Sequence, residues 1–127
     1  MICKEYNKRI FASKINDCDI VVFKDDIVVI EAKNEYWYDA SIKCDADGWD
    51  NALYEWWPIK MFKDFPNENY MKLCCKVNKE KVAIGKKRAF IAKENGILKL
   101  WANDIPFLRW NNAGQLDINI KIKRFYE

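Results

Sequence analysis

The sequence predicts an all-β fold, an antiparallel β-sandwich, on three observations. Leu116, Ile118, Ile120 and Ile122 alternate with Asp117, Asn119, Lys121 and Lys123. Met71, Leu73, Cys75 and Val77 alternate with Tyr70, Lys72, Cys74 and Lys76 in the same way. Side chains of a strand point alternately to its two faces, so each run has one face for a core and one for water. The third observation is the lack of any sustained helical stripe between Asn34 and Asn69. A chain of 127 residues holds one domain with a substantial core and is too short for two ordinary ones. A single domain spanning residues 1–127 is therefore expected.

Taken in order, Cys18 to Phe23 and Ile27 to Ala32 are β-branched runs separated by Lys24-Asp25-Asp26, a polar turn of hairpin length, and two paired strands are expected there. Between Asn34 and Asn69 the pattern loosens into aromatics, Asp, Gly48, Pro58 and Pro66, which reads as a long functional loop region. Its one helix candidate, Trp49 to Phe62, is interrupted by Trp56-Trp57-Pro58, leaving room for about one turn. In the strand near residues 70–77, Cys75 is expected to point inward and Cys74 outward. Asn78 to Lys93 follows as a turn, a short extended piece ending at Gly85 and a strand around Ala89 to Ala92. The last third is a strand ending at Asn103-Asp104, a loop carrying Asn111-Asn112, and the alternating run from Gln115 to Lys123. Roughly seven to nine short strands result, the number of a sandwich.

Composition narrows the function. Histidine is absent, which removes Ser-His-Asp and Cys-His mechanisms and most catalytic zinc arrangements. Cys3, Cys18, Cys44, Cys74 and Cys75 are odd in number and lack CxxC spacing, so they are read as free thiols in a reducing compartment. A net charge of +3, from 22 basic and 19 acidic residues scattered along the chain, does not indicate a nucleic-acid partner. No apolar run approaches the roughly 20 residues of a membrane span, and Met1 to Arg9 lacks a signal-peptide core. A cytoplasmic protein, or one released without a signal peptide, is expected.

One carboxylate, Asp104, and two amides, Asn111 and Asn112, are gathered on one short loop. These are hard oxygen donors of the kind calcium prefers. Asn-Asp and Asn-Asn-x-Gly are also ordinary turn sequences, because Asn and Asp satisfy their own backbone and tolerate left-handed conformations.

These residues carry a resemblance. Lys24-Asp25-Asp26-Ile27-Val28-Val29-Ile30, Asp45-Ala46-Asp47-Gly48-Trp49, Lys72-Leu73-Cys74-Cys75-Lys76-Val77, Ala83-Ile84-Gly85 and the pattern from Gly96 to Ile120 follow one another in the order of a known set of motifs. The last of them resembles the signature G-x-L-x-L-x-x-N-D, N-N-x-G, V-x-I. The chain resembles the PA-IL (LecA-like) family of bacterial lectins, calcium-dependent galactose-binding proteins with a small jelly-roll-like sandwich of the galactose-binding-like type. The resemblance implies a non-catalytic carbohydrate-binding protein with calcium (Ca2+) as the bridge to the sugar. It implies that Asp104 is the charged ligand, that Asn111 and Asn112 supply side-chain oxygens, and that Tyr38 and Leu108 supply backbone carbonyls. Its sugar-binding positions fall on Ala52, Glu55, Asp104 and Asn111, with Ala52 where the family has a histidine and Glu55 where it has a glutamine. Arg109 and Trp110 also depart from the family, and a cation beside one carboxylate weakens calcium unless Asp39 turns inward to compensate. Affinity near 10⁻⁴ to 10⁻³ M is expected, about the weak end for such sites. Family members commonly oligomerise, so a homo-oligomer is an expected state.

Two other functions compete. Asp19, followed by Glu31-x-Lys33 at the end of the next strand, resembles the PD-(D/E)xK nuclease core, in which carboxylates hold magnesium and the lysine positions water. A metal-free protein-interaction sandwich is the third. Trp49, Tyr54, Trp56 and Trp57 crowd one region, as an aromatic platform for a sugar face or as core and interface residues.

Overall fold

A computed structural model describes residues 1–50 and 57–125. Ten strands among them form two antiparallel sheets. The strands are β1 (Ile2–Phe11), β2 (Asn16–Val22), β3 (Ile27–Ala32), β4 (Trp37–Asp39), β5 (Ile42–Cys44), β6 (Leu73–Val77), β7 (Glu80–Ala83), β8 (Lys87–Ile91), β9 (Gly96–Ala102) and β10 (Asn112–Arg124). One sheet runs β5-β4-β10-β3-β8, with β1 on the other side of β10; the second runs β2-β9-β6-β7. Among the described residues, helix is confined to one α-helical turn, α1 (Trp57–Lys60), and one 3-10 turn (Pro106–Asn111). No helix among the described residues is long and apolar enough to cross a membrane.

The core is the space between the two sheets, and the period-two runs fill it. Leu116, Ile118, Ile120 and Ile122 of β10 meet Leu73, Cys75 and Val77 of β6, Leu98 and Leu100 of β9, and Ile20 and Val22 of β2 in one buried cluster. β10 is the spine. Its first residues pair with β4, its later ones with β3, and nearly its whole length with β1, from Phe11↔Gln115 to Ile2↔Arg124. Asn16 ties the two sheets near one end: its Oδ1 accepts the Phe11 N–H (3.0 Å) and its amide donates to the carbonyls of Phe11 (2.9 Å) and Leu100 (3.0 Å).

The structure departs from expectation in several places, one being that the stretch from Asn34 to Asn69 holds β4 and β5 rather than loop alone. The runs at residues 18–23 and 27–32 do not pair as a hairpin: β2 pairs with β9 in one sheet and β3 with β10 and β8 in the other. The polar turn between them is a corner. Asp25 is left-handed at φ 76°, and the buried Asp26 accepts the Phe23 N–H (2.9 Å) and a two-pronged bond from Arg124 (2.8 and 2.7 Å), which sends the chain across the sandwich. Cys74 is buried as completely as Cys75. Its outward face lies under the segment after α1, where Phe65 stacks on Trp101, its cross-strand partner, at 6.5 Å between centroids. Burial raises both thiols, Cys74 well above its ordinary value, so neither is a reactive thiolate. Finally, β1 has no counterpart in the sequence prediction. As an edge strand it buries little beyond Ile10, so its alternation is masked by charged residues on both faces.

The nuclease core is not assembled. Asp19 sits at φ 55° in an irregular stretch of β2, pointing outward from the four-stranded sheet. Glu31 points outward from the six-stranded sheet, with Lys33 just beyond the strand. The carboxylates of the resemblance thus occupy opposite outer faces.

Of the helix candidate at 49–62, positions 51–56 lie outside the described residues, and the described part contains α1. Pro58 is its second residue, where no N–H is needed, while Trp49 makes an isolated bridge to Tyr70. Gly48 lets the chain approach there. At φ +78° it is left-handed, and a Cβ would run into the Tyr70 carbonyl and the Lys72 amide.

Candidate functional site

The site is built where β9 gives way to β10. Asn103 and Asp104 are both buried, but their side chains do different things. The Asn103 amide holds the 65–69 segment: it donates to the carbonyls of Phe65 (3.0 Å), Glu68 (3.3 Å) and Asn69 (3.0 Å), while its Oδ1 accepts the Phe65 N–H (2.9 Å). Asp104 has only one such bond, from the Ile105 N–H to Oδ1 (2.7 Å). Pro106 then opens the 3-10 turn, which Leu108 continues by donating its N–H to the Ile105 carbonyl (2.9 Å). Asn111 ends the turn and Asn112 begins β10, its amide donating to the Ala12 carbonyl (3.2 Å).

Four buried side-chain atoms among the described residues have no hydrogen-bond partner. Three are oxygens, Asp104 Oδ2, Asn111 Oδ1 and Asn112 Oδ1, and the fourth is Arg109 Nε. Buried polar atoms are almost always paired, so an orphan needs an explanation such as an ion. The orphaned oxygens are the side-chain donors that the sequence singles out.

Asp104 and Asn111 open into a cleft of about 480 Å³, lined also by Asp39, Trp49, Tyr70, Ile59, Ile42 and Leu108. The β4–β10 register places Asp39 opposite Asn112, and the Ala40 N–H donates to the Asn111 carbonyl (3.1 Å). Asp39 is therefore a second carboxylate on the cleft, its Oδ2 accepting the Trp49 Nε1–H (3.1 Å). Burial raises the pKa of Asp39 against the pull of that bond. Burial also raises Asp104, and the Asp39 charge adds to it; the Ile105 N–H, the Asn112 side chain and Arg109 only partly offset this. Two desolvated carboxylates facing one space are short of positive charge.

Arg109 does not supply it. Its Nη2 donates to Asp64 Oδ2 (2.9 Å), which also accepts the Trp101 Nε1–H (2.8 Å), so the guanidinium is held by the segment after α1. The pair anchors the middle of the 3-10 turn. Asp64→Ala leaves a largely buried guanidinium and an indole N–H without their acceptor, and about 2–3 kcal/mol of stability should be lost, measured by urea unfolding followed by Trp fluorescence.

Of the remaining predicted residues, Leu108 lines the cleft, and Tyr38 lies in the β4–β10 ladder opposite Ala113, its half-exposed ring against Gly114. Trp110 is 75% exposed. Ala52, Glu55, Tyr54 and Trp56 fall outside the described residues. Sequence reasoning missed Asp64, Tyr70 and Ile59; the only trace of the aromatic wall was Trp49, whose ring stacks on Tyr70 at 5.0 Å. No group of three or more Cys, Asp or Glu side chains placed to hold a metal occurs among the described residues. A cation here would rely on amide and carbonyl oxygens beside the carboxylates.

No protein-family model matches the chain, and no curated protein matches it. Among solved structures it is similar to one described as "EclA N-terminal domain; PllA-like lectin", with a TM-score of 0.71 and 14% identity over 93% of this chain and 96% of that chain. The likeness is one of fold.

Proposed function

We propose that this chain is a non-catalytic carbohydrate-binding domain in which a calcium ion bridges protein and sugar. The observation that carries this reading is the trio of orphaned buried oxygens, Asp104 Oδ2, Asn111 Oδ1 and Asn112 Oδ1, of which the Asp104 and Asn111 residues line a cleft with an aromatic wall. The donor set fits: carboxylate and amide oxygens are hard ligands suited to calcium, and the site has no thiol or imidazole to favour zinc. Asp104, Asn111 and Asn112 would hold the ion, with the Leu108 and Tyr38 carbonyls completing the protein side. The ion supplies open positions that vicinal sugar hydroxyls, which are neutral hard oxygens, can take in place of water. Trp49, backed by the Tyr70 ring it stacks on, would pack against the apolar face of the sugar, and Asp64 keeps the Arg109 charge turned from the ion. The fold shared with a protein described as a lectin supports the same reading.

The test is thermal unfolding in chelator and in about 10 mM calcium. A ligand bound only to the folded state stabilises it by RT ln(1 + [L]/Kd), about 1.4–2.7 kcal/mol for a ten- to hundredfold excess over Kd, so Tm should rise by several degrees. A further rise with a methyl glycoside is expected only when calcium is present. An unchanged Tm in calcium would sink the metal bridge and leave a protein-interaction sandwich as the better account.

A further inference from the structure

We infer that Asp39 sets the class of sugar this cleft accepts, favouring a hexose with a protonated amine over a neutral hexose and rejecting a uronic acid. The inference rests on the carbohydrate-binding reading and deepens it.

Asp39 is the last residue of β4, fixed by pairing with Asn112 on one side and Ile42 on the other. Its Oδ2 is held by the Trp49 indole, and that ring is held in turn by stacking on Tyr70, 16° from parallel. Its Oδ1 has no hydrogen-bond partner among the described residues, and the residue lines the cleft alongside Asp104. The carboxylate is therefore oriented and has an acceptor to offer.

Charge then decides what it accepts. A divalent ion on Asp104 and two neutral amides leaves an excess of one positive charge, which would draw acidic sugars as readily as neutral ones. Asp39 cancels that excess. Two cations near the cleft are already engaged, Arg109 with Asp64, and Lys63 with the Glu68 carbonyl (2.6 Å) and, at 4.1 Å, the Tyr70 ring. An anionic substituent entering the cleft meets the repulsion of a fixed, partly desolvated carboxylate beside the ion, whereas an ammonium finds a partner in Asp39. Discrimination by repulsion is as effective as attraction in setting specificity.

The experiment is titration calorimetry at pH 6 in about 10 mM calcium. The probes are the methyl glycosides of galactose, galactosamine and galacturonic acid and their gluco epimers, with parent and Asp39→Asn. Asn keeps an oxygen for the Trp49 N–H, so the cleft wall is retained. In the parent the amine should bind on the order of tenfold tighter than the neutral sugar at low salt, and the uronate should not bind measurably. In Asp39→Asn the Kd values of the three should converge to within about threefold. Neutral binding without charge discrimination in the parent, or the same ranking in Asp39→Asn, overturns the role of Asp39 and leaves the lectin reading intact. No binding of any glycoside, with or without calcium, overturns both.

Discussion

Asp26→Ala should lower the unfolding free energy by about 3 kcal/mol and Tm by roughly 10 °C or more. Asp26 is 1% exposed, and its two oxygens serve three donors: the Arg124 Nε and Nη2 and the Phe23 N–H. Arg124 lies over the Phe23 ring at 4.3 Å, so the carboxylate locks the corner between the sheets to the end of β10. Alanine leaves a guanidinium and an amide without their acceptor at a place where little water can replace it. The pH dependence has a definite sign. Burial by itself would raise the Asp26 carboxyl, but the Arg124 bonds, the Phe23 N–H and the Arg124 charge outweigh it and hold the pKa below the ordinary carboxylate value. A depressed carboxyl contributes stability that is complete above its unfolded pKa, about 3.9, and is lost as pH falls through the folded value. Urea unfolding of parent and variant should show the full gap at pH 7 and a narrower one near pH 3; an equal gap at both would refute the ion-pair account.

Asp104→Asn should act in the opposite direction: without calcium the variant should be more stable than the parent. Burial and the Asp39 charge disfavour the ionised form of Asp104 in the fold, so at neutral pH this carboxylate is a net burden when no cation is present. Asparagine keeps the acceptor for the Ile105 N–H and removes the charge. Removing a buried charge that has no cationic partner should give a Tm several degrees higher in chelator. Added calcium should reverse the ranking by raising the parent and leaving the variant unmoved. Under the proposed function such a site would be held at the expense of stability, as binding sites often are. Thermal unfolding of both proteins with chelator and with calcium measures it, and a variant less stable than the parent in chelator would show that the carboxylate is a structural group.

Local pattern carried much of this structure. The β10 and β6 runs are legible because each has one face fully buried, and the oxygen trio is legible because Asp104, Asn111 and Asn112 lie within nine residues of one another. What was not legible depends on partners far along the chain. The corner at Asp26 looks like a hairpin turn until Arg124, 98 positions away, is seen to claim its carboxylate. Cys74 looks outward-facing until the segment carrying Asp64 and Phe65 is laid over it. Asn103 stands beside Asp104 at the strand end, yet its amide holds carbonyls that no local rule connects to it. Asp39 reaches the cleft only because β4 pairs with the first residues of β10.

That same β10 has a consequence for how the protein is made. It is the last strand among the described residues and yet sits inside its sheet, between β1 on one side and β3 and β4 on the other. Ribosomes add about 5–20 residues per second, so β1 waits roughly 5–20 s for the partner that its register requires. During synthesis the strands that flank β10 stand with unmet backbone groups. The alternating Lys4, Glu5, Lys8 and Arg9 on β1 are placed to keep such an edge from pairing with a neighbouring nascent chain.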